Sequence, residues 1–163
     1  MLPAYIANMM PVLVKHLPIG NAAINEKLFG CNKTYRGLAA GVLGGIFGIL
    51  LQKSLHPWLN TWELLPYNEL TIFNEAIYGI LFGGGALFGD LLKSYFKRRL
   101  RIAPGQPWIP FDQLDFVAGS LIAMSLIYIP PLFYIFIIIC ITPILHLITN
   151  AAAYAIGIKK VWW

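Results

Sequence analysis

Residues 116–158 read FVAGSLIAMSLIYIPPLFYIFIIICITPILHLITNAAAYAIGI, a run without one Asp, Glu, Lys or Arg. About 20 apolar residues in a helix cross the roughly 30 Å hydrocarbon core of a bilayer. The run therefore holds two crossings, and Pro130-Pro131 divides them into spans of about 115–129 and 132–158. The whole chain agrees: 58% of its 163 residues are hydrophobic and 12% charged, where a soluble domain carries about 25% charged residues. Mean hydropathy is +0.69. The expected fold is all-α, a polytopic integral membrane protein forming a single transmembrane domain over residues 1–163, and a large extramembrane domain is excluded.

N-terminal to this run lies the most polar stretch near an apolar one, residues 89–116, GDLLKSYFKRRLRIAPGQPWIPFDQLDF. On a helix, Asp90, Lys93, Ser94 and Lys97 fall at i, i+3, i+4 and i+7, so a carboxylate, two ammoniums and a hydroxyl share one face. Beyond a break at Pro104-Gly105, Asp112 and Asp115 repeat the i, i+3 spacing. Ionisable groups at a membrane boundary are costly and mark functional cavities. Asp90, Asp112 and Asp115 are therefore read as ligands of a divalent cation, with the basic residues gripping phosphates. The competing reading is a set of interfacial salt bridges, Asp90 to Lys93 or Lys97, that anchors a juxtamembrane helix.

Three further spans are expected, at about 2–17, 37–56 and 71–92, giving five. The first is short, and a half-inserted helix is its alternative; it has neither the basic start nor the cleavage site of a signal peptide. In the second, Gly37, Gly41 and Gly45 recur at intervals of four, as do Gly44 and Gly48, a spacing that lets helix backbones approach, here within the molecule rather than across a homodimer seam. In the third, Gly83-Gly84-Gly85 implies close packing or a local break. Trp58, Trp62 and Tyr67 have the amphipathic character of a headgroup interface, as do Lys159-Lys160 with Trp162-Trp163. His146 and Asn150, at i, i+4, are expected to hydrogen-bond between helices. Cys31 and Cys140 do not suggest a disulfide framework.

Five spans put eleven of the twelve Lys and Arg residues on one side, leaving Lys53 alone on the other. By the positive-inside rule the N-terminus lies outside, the C-terminus is cytoplasmic, and the loops 18–36 and 93–114 face the cytoplasm. Asp90 lies about 24 Å along a helix from Asn74, and Asp115 about 22 Å from Pro130. Both acids then sit at similar depth beneath the cytoplasmic boundary, in a cavity where a water-soluble reagent meets a lipid phosphate.

Several chemistries are excluded. Asn32-Lys33-Thr34 is not a Walker A element, since Lys27 and Asn32 stand where glycines are required. No Ser/His/Asp set, Cys/His metal spacing or nucleic-acid motif occurs. The surviving parts are carboxylates for a hard cation, a row of Lys and Arg, and an amide-rich loop, which together suit membrane-embedded, metal-dependent phosphate chemistry. A lipid kinase, or a non-enzymatic lipid-binding or ion-conducting bundle whose acids line a pore, would use the same parts.

Four ordered stretches, LPAYIANMMPVL, NKTYRGLAAGVLGG, GDLLKSYFKRRLRIAPGQPWIPFDQLDF and HLITNAAAYAIGIKKVWW, together resemble the CDP-archaeol synthases, small archaeal-type relatives of the CDP-diacylglycerol synthases. The resemblance implies a Mg²⁺-dependent cytidylyltransferase of the cell membrane that moves CMP from CTP to unsaturated archaetidic acid, a geranylgeranyl diether lipid phosphate, and releases pyrophosphate. Its Lys-Thr-x-x-Gly element falls on Lys33, Thr34 and Gly37, with Asn32 and Arg36 beside it, as the CTP contact. Its second element falls on Gly89, Asp90, Lys93, Ser94, Lys97 and Arg98, and its carboxylate element on Asp112, Gln113 and Asp115. The diacyl enzymes carry Gly-Gly before Asp-Arg-x-Asp, whereas residues 110–115 here follow the archaeal pattern, which favours the diether; a CDP-diacylglycerol synthase acting on phosphatidic acid is the alternative.

Overall fold

The computed structural model describes residues 1–59, 71–103 and 106–157. Trp62, Tyr67, the break at Pro104-Gly105 and the C-terminal Lys159-Lys160 and Trp162-Trp163 lie outside the described residues. The described chain is helical: α1 (Leu2–Leu13), α2 (Glu26–Phe29), α3 (Tyr35–Leu59), α4 (Ile72–Arg99), α5 (Phe111–Met124) and α6 (Leu132–Ala155). Three of these, α3 from Tyr35 to Trp58, α4 and α6, are long and apolar enough to cross a membrane. The segments expected as first and fourth spans are shorter helices: 12 residues in α1, followed by a 3-10 turn at Val14–His16, and 14 in α5. At 1.5 Å per residue they extend about 18 and 21 Å, short of the hydrocarbon core.

Glycine decides how the helices meet. Cβ atoms built at Gly44 and Gly48 would strike Met10 and Pro3 of α1 at 2.5 Å, and Gly37 packs against Pro11. Those at Gly41 and Gly45 would strike Leu87 and the Gly79 carbonyl of α4, at 2.5 and 2.3 Å. Gly41 and Gly45 thus serve α4, whereas Gly44 and Gly48, together with Gly37 from the first series, serve α1. The pairings run in opposite directions along each helix, so α1, α3 and α4 are successively antiparallel. On the far side of α4, Gly85 and Gly89 meet Gly119 and Asp115 of α5, also antiparallel. Helix α4 passes through Gly83-Gly84-Gly85 without the local break that was one expectation; Gly83 faces α3, Gly85 faces α5, and Gly84 has nothing within 4 Å.

The core between these helices contains Ala4, Ala7, Ile49, Phe82, Ala86, Phe116, Val117 and Met124. Ser120 is buried there and donates to the Phe82 carbonyl at 2.9 Å, joining α5 to α4. Helix α6 stands more apart. Its buried residues are Thr142 and Asn150, and the Thr142 hydroxyl meets Tyr5 Oη of α1 at 2.6 Å. Tyr5 in turn packs edge-on against Phe116, with centroids 5.4 Å apart. His146 and Asn150 bond to one another along α6 at 3.2 Å, since i, i+4 residues are neighbours on one helix.

Candidate active site

The polar site assembles at the end of the bundle where α1 and α4 finish and α3 and α5 begin. Its base is the C-terminal part of α4. The loop expected from residue 93 starts later, since α4 continues to Arg99 and carries Asp90, Lys93, Ser94, Lys97 and Arg98 on one rigid element. Helix continuation is favoured here by Leu, Lys and Arg, all good helix formers, and by three basic residues in the last turn, which suit the negative end of the helix dipole.

The 18–36 connection folds over this end. Ala23 and Thr34 form an antiparallel bridge, flanked by hydrogen bonds from Ile24 N to Lys33 O at 2.8 Å and from Arg36 N to Gly20 O at 3.0 Å. Between the two arms, Asn25 caps α2 by accepting from Leu28 N at 3.1 Å, and Gly20 takes the positive φ of 67° that the turn needs. This hairpin carries Lys33 to Asp90, with which it forms an ion pair. That contact brings the 18–36 connection and the 89–116 stretch together at one end of the bundle.

Lys93 is the centre of the arrangement. Its Nζ lies 3.0 Å from Asp90 Oδ1, 3.2 Å from Asp112 Oδ1 and 2.6 Å from Asp115 Oδ2. Lys97, 7% exposed, reaches Asp112 Oδ2 at 3.1 Å and donates to the Gln106 carbonyl at 2.5 Å. The Trp108 amide donates to Asp112 Oδ2 at 2.5 Å. The loop residues Gln106 and Trp108 were not anticipated as part of the site; backbone donors and acceptors leave no side-chain signature. Asp112 opens α5, ahead of the span expected at 115–129. Burial alone would raise its carboxyl pKa, but the Lys93 ammonium, the Trp108 amide and Lys97 outweigh burial and hold it below the usual carboxylate range.

Other sequence-selected residues are engaged in building the site. Thr34 Oγ1 accepts from Gly37 N at 3.2 Å and so caps the start of α3. Arg36 donates to the carbonyls of Leu17 and Lys15 and to Asn21 Oδ1, tying down the chain that enters the hairpin. Ser94 donates back to the Asp90 carbonyl at 2.8 Å. Asn32 is exposed, whereas Gln113 is buried, and neither Gln113 Oε1 nor Arg98 Nε has a hydrogen-bond partner among the described residues. A separate ion pair, Lys53 with the buried Glu75, joins α3 to α4 at the opposite end, about 22 Å along the helix from Asp90.

The donor set suits a hard divalent cation: three carboxylates from α4 and α5 converge on one point. That point is held by an ammonium, and among the described residues no three His, Cys, Asp or Glu side chains are poised as they stand to hold a metal ion. The arrangement favours anionic ligands at its rim, where Lys33 and Asn32 are accessible, and a cation at its centre.

The chain is similar to known proteins over its whole length. The family model described as "CarS-like: CDP-archaeol synthase" matches residues 1–163. The CDP-archaeol synthase of Thermofilum pendens is 38% identical over 99% of this chain and 78% of its own length. That of Methanococcoides burtonii is 37% identical over the full length of both. A solved structure of an intramembrane enzyme for archaeal membrane lipids biosynthesis superposes with a TM-score of 0.71 at 30% identity, covering 92% of this chain and 89% of its own. With the match extending from the first residue to the last, the chain belongs to the CDP-archaeol synthase family.

Proposed function

We propose that this protein transfers a cytidylyl group from CTP to unsaturated archaetidic acid, producing CDP-archaeol and pyrophosphate for membrane phospholipid synthesis. The observation that carries this reading is the linked set Lys33, Asp90, Lys93, Asp115, Asp112 and Lys97, drawn from three separate segments to one end of a membrane bundle. A lipid phosphate oxygen forms a bond to the α-phosphorus of CTP as the bond from that phosphorus to the pyrophosphate oxygen breaks. The nucleophile is already anionic, so no general base is required. Lys33, Lys97 and Arg98 neutralise phosphate charge, while Asn32 and Gln113 supply amide contacts to the nucleotide. Thr34, Arg36, Gly37 and Ser94 act by shaping the hairpin and helix ends that hold Lys33 and Asp90. Mg²⁺, held by Asp90, Asp112 and Asp115, would supply charge neutralisation at the triphosphate.

The proposed topology keeps five crossings, with the N-terminus outside and the active site at the cytoplasmic face of the cell membrane. Its support is the alternating direction of α1, α3, α4 and α5 together with the gathering of basic residues at one end. The short helices α1 and α5 would cross with the help of the turns that follow them and of local bilayer thinning.

The deciding experiment incubates purified protein with CTP, Mg²⁺ and either the geranylgeranyl diether phosphate or a diacyl phosphatidic acid. CDP-lipid and pyrophosphate should form, with the larger kcat/KM for the diether. Equal or reversed preference would remove the diether assignment, and release of CDP in place of pyrophosphate would point to a lipid kinase. Cation flux through vesicles without CTP consumption would overturn the enzymatic reading.

A further inference from the structure

Three carboxylates within reach of one another cannot all remain ionised away from water without a cation among them. Here that cation is part of the chain. Lys93 Nζ stands 3.0, 3.2 and 2.6 Å from oxygens of Asp90, Asp112 and Asp115. The Lys93 side chain is 15% exposed and that of Asp115 5%. Lys33 and Lys97 each bind one acid at the edge of the group, whereas Lys93 touches all three. A magnesium ion needs its oxygens at about 2.0–2.1 Å, so it and the ammonium cannot occupy the same centre.

We propose that Lys93 is an exchangeable occupant of the cation position: its ammonium holds the acids of α4 and α5 together until a divalent ion displaces it, and then turns toward phosphate. The inference rests on the cytidylyltransferase reading for the identity of that phosphate. It deepens that reading by making Lys93 a positioning residue for the acids as well as a phosphate contact. A lysine suits the exchange because its charge is compact and sits on a flexible four-carbon stem. The exchange makes divalent binding weak before substrate arrives and strengthens it once phosphates offer the ammonium another partner.

The test measures Mn²⁺ binding to the purified, chelator-stripped full chain by electron paramagnetic resonance, with neither nucleotide nor lipid present. Lys93→Gln should bind Mn²⁺ at least about tenfold more tightly than wild type, since a neighbouring positive charge has been removed from the ion's position. Lys93→Arg, which keeps the charge, should bind no more tightly than wild type. In the double variant Lys93→Gln/Asp115→Asn the gain should disappear. In thermal unfolding, Mg²⁺ should raise the Tm of Lys93→Gln more than that of wild type. Unfolding of Lys93→Gln on chelation, with recovery in Mg²⁺, would support the exchange equally. Equal Mn²⁺ affinity in wild type and Lys93→Gln would overturn the proposal. So would a gain that survives Asp115→Asn, or a Lys93→Gln protein that stays unfolded at every Mg²⁺ concentration. None of these measurements reads turnover, so absence of cytidylyl transfer would remove the functional reading and leave this one standing.

Discussion

A Cβ atom built on Gly89 would lie 2.1 Å from the carbonyl oxygen of Asp115, so α4 and α5 touch backbone to backbone one residue from Asp90 on α4 and at Asp115 itself on α5. The contact is reciprocal one turn away, where a Cβ on Gly119 would lie 2.1 Å from the Gly85 carbonyl. Alanine at Gly89 must push the helices apart. Overpacking of this kind costs about 1–3 kcal/mol, and the spreading also separates Asp90 from Asp115. Gly89→Ala and Gly119→Ala are expected to lower the Tm, and Gly89→Ala to reduce turnover further than its stability loss explains. Gly84→Ala, at the open position of the same helix, should leave Tm unchanged or raise it, since alanine is the better helix former by about 1 kcal/mol. Thermal unfolding of the three variants in one detergent checks the ranking.

The acids should separate chemistry from scaffold. Asp90→Asn, Asp112→Asn and Asp115→Asn keep the side-chain shape and remove the charge that a divalent ion requires. Loss of charge stabilisation at a transferring group commonly costs a hundredfold or more in rate, so each variant is expected to fall below about a tenth of wild-type turnover over a Mg²⁺ titration. Folded protein should still be recovered for each, because Lys93 keeps two of its three partners in every case. Turnover above that threshold would assign the acids to anchoring the bundle.

Arg36 offers a sharper distinction. Its guanidinium bonds two backbone carbonyls and one amide oxygen in the chain that leads into the hairpin, and the planar fork of arginine meets several acceptors at once where lysine offers one point charge. Arg36→Lys should therefore raise the KM for CTP nearly as much as Arg36→Ala, with faster limited proteolysis between residues 15 and 33 in both. If Arg36 instead met a phosphate as a simple charge, Arg36→Lys would keep most of the affinity and the proteolysis pattern would not change.

The topology can be read with a native cysteine. Cys31 is exposed on the hairpin, and Trp58, near the end of α3, is 85% exposed. In a Cys140→Ser background, a membrane-impermeant maleimide should label Cys31 from the cytoplasmic side. In a background lacking both native cysteines, Trp58→Cys should be labelled from the outside. Labelling of both from one face would overturn the five-crossing arrangement.

Much of the molecule was legible in one dimension, because the bilayer imposes a length and a polarity that the chain must display. The charge-free run at 116–158, the divided prolines and the glycine series gave a helical membrane protein and its tight helix contacts. The i, i+3 spacing of Asp90 with Lys93, and of Asp112 with Asp115, picked out the acids and lysine that the fold brings together, and four ordered motifs gave the family. What the tertiary structure decided were the pairings between distant segments. No periodicity reveals that Lys33 lies against Asp90, that Gly41 and Gly45 face α4 while Gly44 and Gly48 face α1, or that Lys93 rather than Lys97 stands among the acids. Those outcomes depend on how closely glycine lets two backbones approach and on which side of each helix the neighbour lies. Nor could residue type alone distinguish Thr34, Arg36 and Ser94, engaged with the backbone, from Lys33 and Lys93, engaged with carboxylates. The same polar groups serve either purpose, and the choice belongs to whichever partner the fold brings within hydrogen-bonding distance.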